Sequence, residues 1–88
     1  MDIYFLRHGE TKWNTRGRIQ GQKNTRLSEK GLEQARMTAE GMEDIPFDII
    51  YSSPLERAYE TAQIVRGERN IPIIRDDRLK ESLVFFCP

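Results

Sequence analysis

Phe47-Asp48-Ile49-Ile50-Tyr51-Ser52-Ser53-Pro54-Leu55-Glu56-Arg57-Ala58 is the stretch on which the fold turns. Pro46 closes what precedes it, and Phe47 to Tyr51 is a short, mostly apolar run that reads as a strand. Ser53 then stands at an N-cap position, Pro54 at the first helical position and Glu56 at the third, which predicts a capping box with a pre-set first φ angle. Leu55, Ala58, Ala62 and Val65 follow at helical spacing and would form the inner face of that helix. Gly67 is the predicted stop. A strand that passes directly into a capped helix is the repeating unit of an α/β fold.

The flanking sequence extends the pattern in both directions. Downstream, Ile71-Pro72-Ile73-Ile74 predicts a further strand. Upstream, Ile3-Tyr4-Phe5-Leu6 is continuously apolar, as suits a strand covered on both faces. A polar, Gly-containing loop runs from Gly9 to Leu27. Ser28 is placed to cap the next helix, with Glu29 in its first turn and Leu32, Ala35, Ala39 and Met42 on its inner face. The order β-α-β-α-β predicts a parallel sheet of the three-layer α/β type. Crossovers between parallel strands are right-handed, so strands laid side by side in chain order would carry both helices on one face. The other face would then be bare, as would one edge of Ile3–Leu6, with Leu83-Val84-Phe85-Phe86 patching part of the gap. The sequence therefore predicts an incomplete domain over residues 1–88 that associates through this face, as a homodimer or with another chain.

Composition narrows the function. An 88-residue chain is one small domain. Its 14 basic and 14 acidic residues cancel, which argues against a nucleic-acid partner, since that needs a basic excess. Hydrophobic residues are 38% and charged residues 32%, with mean hydropathy −0.67, a globular composition rather than a disordered one. No apolar run approaches the ~18 residues of a membrane span, and no signal peptide is visible. Cys87 is the single cysteine, so no internal disulfide can form, and a cytoplasmic location is expected. One His and one Cys cannot supply a zinc ligand set, no calcium-loop spacing is present, and the glycine loops of nucleotide sites are missing.

Ligands of open parallel sheets bind beyond the carboxyl ends of the strands. The first strand delivers Arg7, His8 and Gly9 to that edge, the second delivers Ser52, Ser53 and then Arg57, and Asp76 to Glu81 follow the third. Arg7 and Arg57 can grip a phosphate with forked hydrogen bonds, and a helix N-terminus adds free N–H groups. A neutral His8 between such cations can attack phosphorus. Glu81 could protonate the leaving oxygen and then activate water. Taken singly, a lone histidine, a helix arginine and a charged run are most often structural or solvated surface. Their meeting at one edge is the functional signal.

These residues resemble the histidine phosphatase superfamily, also called phosphoglycerate mutase-like. The resemblance is carried by Leu6-Arg7-His8-Gly9-Glu10-Thr11, Trp13-Asn14, Gly17-Arg18-Ile19-Gln20-Gly21, Leu27-Ser28-Glu29-Lys30-Gly31, Gln34-Ala35, Ser52-Ser53-Pro54-Leu55-Glu56-Arg57-Ala58 and Glu60-Thr61-Ala62. It implies a phosphoric monoester hydrolase with His8 as the nucleophile that becomes phosphohistidine. It implies Arg7 and Arg57 as phosphate clamp, Asn14 as a further pocket ligand, Gln20 and Gly21 as loop positions near the substrate, and Glu81 as proton donor. No metal or other cofactor is implied, and the partner is a small phosphorylated metabolite. The Gly17–Gly21 loop looks more like broad-specificity, ribazole and fructose-bisphosphate phosphatases than like glycolytic mutases. Family members are far longer, and their later part supplies a second catalytic histidine; no histidine follows His8 here. After Glu81 the family pattern is lost, as expected of a truncated, frame-shifted or naturally short N-terminal half. Two readings therefore stand beside a mutase: an impaired phosphatase, and a non-catalytic phosphate-binding remnant.

Overall fold

The computed structural model describes residues 2–7 and 26–88, with Arg7 described by its backbone alone. His8, Asn14, Gln20 and Gly21 lie outside the described residues. Strand β1 is Ile3–Arg7, helix α1 Glu29–Gly41, strand β2 Ile49–Ser52, helix α2 Glu56–Arg66, strand β3 Ile73–Arg75 and strand β4 Ser82–Phe86. The α/β class is as the sequence predicts, and β1, β2 and β3 all run in one direction.

The sheet is nevertheless mixed, and its order is β1-β4-β2-β3. The run Leu83–Phe86 is no patch over the gap; it is an antiparallel strand inserted between β1 and β2. The register pairs Arg7 with Ser82, Leu6 with Leu83 and Tyr51 with Val84. Only β2 and β3 are parallel neighbours, joined through α2. The physical reason lies in the run itself. Leu83, Val84 and Phe85 are all buried, and an apolar residue at every position suits a central strand covered on both faces. A continuous ladder on both sides also satisfies its backbone groups, which a loop lying on the sheet could not do.

The main core lies between the sheet and α2. Ile50, Leu83 and Phe85 from the strands meet Ala58, Ala62 and Val65 from the helix, with Phe47 and Cys87 completing the cluster. Each large side chain fully buried there is worth about 1.5–3 kcal/mol, and Phe47 sets its ring edge-on to Phe85 at 5.0 Å. Helix α1 packs on α2 through its buried Gly31 and Ala35. Its Ser28 cap accepts a bond from the Gly31 N–H at 3.1 Å. The start of α2 differs from the predicted capping box: Leu55 is the N-cap and Glu56 the first helical residue, while the Ser53 hydroxyl accepts from the Leu55 N–H at 3.2 Å. Its end is as expected, with Gly67 at φ 59°, a left-handed conformation that favours glycine.

Cross-strand neighbours on the opposite face are Ile3 with Phe86, Phe5 with Val84, and Tyr51 with Ile74. Phe5 is 76% exposed and Ile3 49%, so among the described residues this face is largely open at β1, and Ile74 on β3, at the far edge, is 40% exposed. Leu79 and the Tyr51–Phe86 ring contact cover its other end, around a cavity of ≈ 280 Å³. Among the described residues, no helix is long and apolar enough to cross a membrane.

Candidate active site

The insertion of β4 decides what reaches the functional edge. Because β4 runs against its neighbours, its first residue lies beside the last residues of β1 and β2. Glu81, one step before β4, is thereby delivered to the edge where Arg7 ends β1 and Ser52 ends β2. A strand added at an outer edge of the sheet could lie beside at most one of the two.

Arg57 occupies the first turn of α2 directly above this edge. Its side chain is 2% exposed and ranks among the largest fully buried groups of the chain. One guanidinium nitrogen lies 3.5 Å from a Glu81 carboxylate oxygen, and that carboxylate is 48% exposed. A buried cation is costly unless paired and hydrogen-bonded, so an arginine held here has an electrostatic purpose in the fold or in its ligand. The Thr61 hydroxyl donates to the Arg57 carbonyl at 2.8 Å, fixing the turn that carries it.

Ser53 ties the same edge together. Its N–H donates to the Ser82 carbonyl at 3.2 Å. Its hydroxyl donates to the Lys80 carbonyl at 2.8 Å and accepts from the Leu55 N–H at 3.2 Å. The Ser52 hydroxyl turns back onto the Ser53 carbonyl at 2.7 Å, and the Asp76 N–H donates to the Ser52 carbonyl at 2.9 Å. Asp76 also accepts two side-chain bonds from Arg78, at 3.0 and 2.7 Å. That guanidinium, helped by the Arg78 backbone N–H, holds the Asp76 carboxyl at about 2. An open cavity of ≈ 280 Å³ borders the edge between Pro54 and Lys80.

Arg57 and Glu81 are thus brought together, and the backbone of Arg7 ends one strand away from them. The structure says nothing of the Arg7 side chain or of His8, Asn14, Gln20 and Gly21. Two contributors stand in the sequence motifs without the roles that the structure gives them. Ser53 reads as a helix cap, although two of its bonds cross to the segment 80–82. Glu60, quoted in the sequence only as part of a motif, accepts from the Leu27 N–H at 3.2 Å and from Arg26 at 3.3 Å. It thereby pins to α2 the chain that enters α1.

A buried guanidinium, a half-exposed acid and the N-terminus of a helix at the carboxyl ends of the strands make an α/β protein equipped for an anionic group. Comparison with known proteins gives that class a family. Residues 3–84 match the histidine phosphatase superfamily (branch 1), and the chain belongs to it. Phosphoserine phosphatase 1 of Hydrogenobacter thermophilus is 40% identical over 79 residues, which are 90% of this chain and 37% of that protein. The probable phosphoglycerate mutase GpmB of Enterobacter sp. (strain 638) is 42% identical over 81 residues, 92% of this chain and 38% of its own. Among solved structures, Bacillus stearothermophilus YhfR superposes with a TM-score of 0.80 at 47% identity, over 90% of this chain and 40% of that one. The chain spans about two fifths of the length of these relatives.

Proposed function

We propose that the chain is a phosphomonoesterase half-site, in which His8 takes the phosphoryl group from a small phosphorylated metabolite and Glu81 serves as proton donor. The observation that carries this reading is Arg57, buried to 2% and 3.5 Å from the Glu81 carboxylate at the edge where β1 ends. Phosphoryl transfer asks a protein mainly for positioning and for positive charge on the equatorial oxygens, and Arg57 and Arg7 would supply both. Glu81 would protonate the departing alcohol and then deprotonate the water that releases phosphate from His8. Asn14, Gln20 and Gly21 would complete the pocket. The family's names span phosphatases and a mutase. The Gly17–Gly21 loop favours the phosphatases.

The reading extends to rate, assembly and compartment. The 88-residue chain has no second histidine and would leave water free access to the site, so we expect turnover well below the roughly 1–1,000 per second of ordinary enzymes. A turnover inside that range for generic phosphomonoesters would overturn the impaired-enzyme reading. The face bearing Ile3 and Phe5, beside the outer edge of β1, supports association with a second copy. Light scattering should show a dimer or larger species; a monodisperse monomer at high concentration would reject the association. The single thiol, Cys87, is buried, which fits a reducing compartment such as the cytoplasm.

A further inference from the structure

Glu81 is half exposed, pairs with Arg57 and sits between β3 and β4. The residues on either side of it, however, are both bonded to one residue. Ser53 donates through its hydroxyl to the Lys80 carbonyl and through its N–H to the Ser82 carbonyl, at 2.8 and 3.2 Å. The same hydroxyl accepts from the Leu55 N–H, the N-cap of the helix that carries Arg57. Ser53 is completely buried, so these bonds face no competition from water. Of the three, the bond to Ser82 uses the backbone and survives any substitution, whereas the hydroxyl alone couples the Lys80 carbonyl to the start of α2.

We propose that Ser53 is the positioning residue that holds the Glu81 carboxylate against Arg57, by stapling the backbone before Glu81 to the first turn of α2. Its catalytic consequence rests on the reading of Glu81 as proton donor; its structural consequence does not. Removing the hydroxyl leaves the Lys80 carbonyl without that donor and loosens the backbone before Glu81, while Ser82 stays held in β4 by Arg7 and the Ser53 N–H. The acid then moves away from the guanidinium while the phosphate-binding cation stays in place.

Two measurements on the 88-residue chain separate these consequences. In the first, the Glu81 carboxyl carbon is followed through a pH titration by NMR. Ser53→Ala should raise its midpoint by about half a pH unit as the guanidinium is lost, while Ser53→Thr, which keeps a hydroxyl, should restore it. Lys80 and Arg78, the latter engaged by Asp76, are common to all variants and cancel from the comparison. A folded Ser53→Ala chain with an unmoved Glu81 midpoint overturns the proposal. Should Ser53→Ala not fold, Ser53→Cys, close in size but a weak donor, takes its place with the same expected direction. In the second, single-turnover phosphorylation of the protein is compared between p-nitrophenyl phosphate, whose leaving group needs no proton, and a simple alkyl phosphate, whose leaving group does. Glu81→Gln should slow the alkyl ester by about 100-fold and the aryl ester little, and Ser53→Ala should show the same preference at about tenfold. A selective Glu81→Gln with an unselective Ser53→Ala rejects the role of Ser53. An unselective Glu81→Gln instead rejects Glu81 as proton donor, and the titration still decides whether Ser53 places it.

Discussion

One arginine stands in the first turn of α2 and another just beyond its end, and the two differ in what they bond. Arg57, in the first turn, is buried and faces a carboxylate that is itself open to water. Arg69, just past the Gly67 stop, donates to the carbonyls of Ile45 at 2.6 Å, Met42 at 2.8 Å, Glu43 at 3.2 Å and Phe47 at 3.4 Å. Its guanidinium also lies 3.6 Å from the centre of the Phe47 ring. Carbonyls are neutral and immobile, so the bonds of Arg69 do one thing: they fasten the chain leaving α1 onto the core. A carboxylate at a solvent-facing edge can exchange a proton and shares its cation with an incoming anion. On the proposed function, what separates the structural Arg69 from the phosphate-binding Arg57 is therefore the chemistry of their partners, and burial alone does not decide it.

The sharpest way to break this contrast is to truncate each arginine and measure both activity and stability. Arg57→Ala should remove about 2–4 kcal/mol of transition-state stabilisation from phosphoryl transfer, as deleting one preorganised donor does. Its effect on unfolding should be smaller, because the carboxylate it leaves behind, Glu81, is 48% exposed and can be hydrated in place of the ion pair. Arg69→Ala should do the reverse, lowering the unfolding free energy by about 2–3 kcal/mol through lost charge-assisted bonds and the ring contact and leaving the rate per folded molecule nearly unchanged. Equal losses of activity in the two variants, after correction for folded fraction, would erase the distinction.

The smallest effect belongs to the Asp76–Arg78 pair beside the site. Because the folded carboxyl sits at about 2, below its ordinary 3.8, the pair contributes stability that is complete above the ordinary value and is lost as pH falls toward 2. Asp76→Asn should flatten the acid limb of the unfolding curve in that window and leave it unchanged at neutral pH apart from a constant offset. An acid limb identical to that of the unsubstituted chain would show that the turn is held by its backbone bonds alone.

Much of this was legible in the residues, for local reasons. Ser28, Gly67 and the apolar spacing of Ala58, Ala62 and Val65 act within a turn or two of themselves, so their helices are readable from sequence. The position of β4 is a different kind of fact. Leu83–Phe86 has the apolar character of a central strand, but nothing within it says which two strands it enters, or in which direction. That is settled by cross-strand pairing with Leu6 and Ile50, residues distant in the chain. The same limit applies to the site. Arg57 is visible from its place after a strand and a helix start, whereas its approach to Glu81 depends wholly on the antiparallel register of β4. Ser53 shows the cost of a purely local reading: the S-P-L-E pattern suggests a cap, and the hydroxyl, besides accepting from the Leu55 N–H, reaches across to the carbonyl of Lys80.

The central claim is that this edge moves a phosphoryl group onto His8. The most direct test is to incubate the purified chain with a radiolabelled generic phosphomonoester, quench in alkali, and measure protein-bound phosphate in parallel with a His8→Ala chain. The account predicts a label that is stable in alkali, is released by acid as a phosphohistidine should be, and is absent from His8→Ala. A chain that acquires no label and releases no phosphate, or one labelled equally without His8, would contradict it and leave the protein as a phosphate-binding relative with no chemistry of its own.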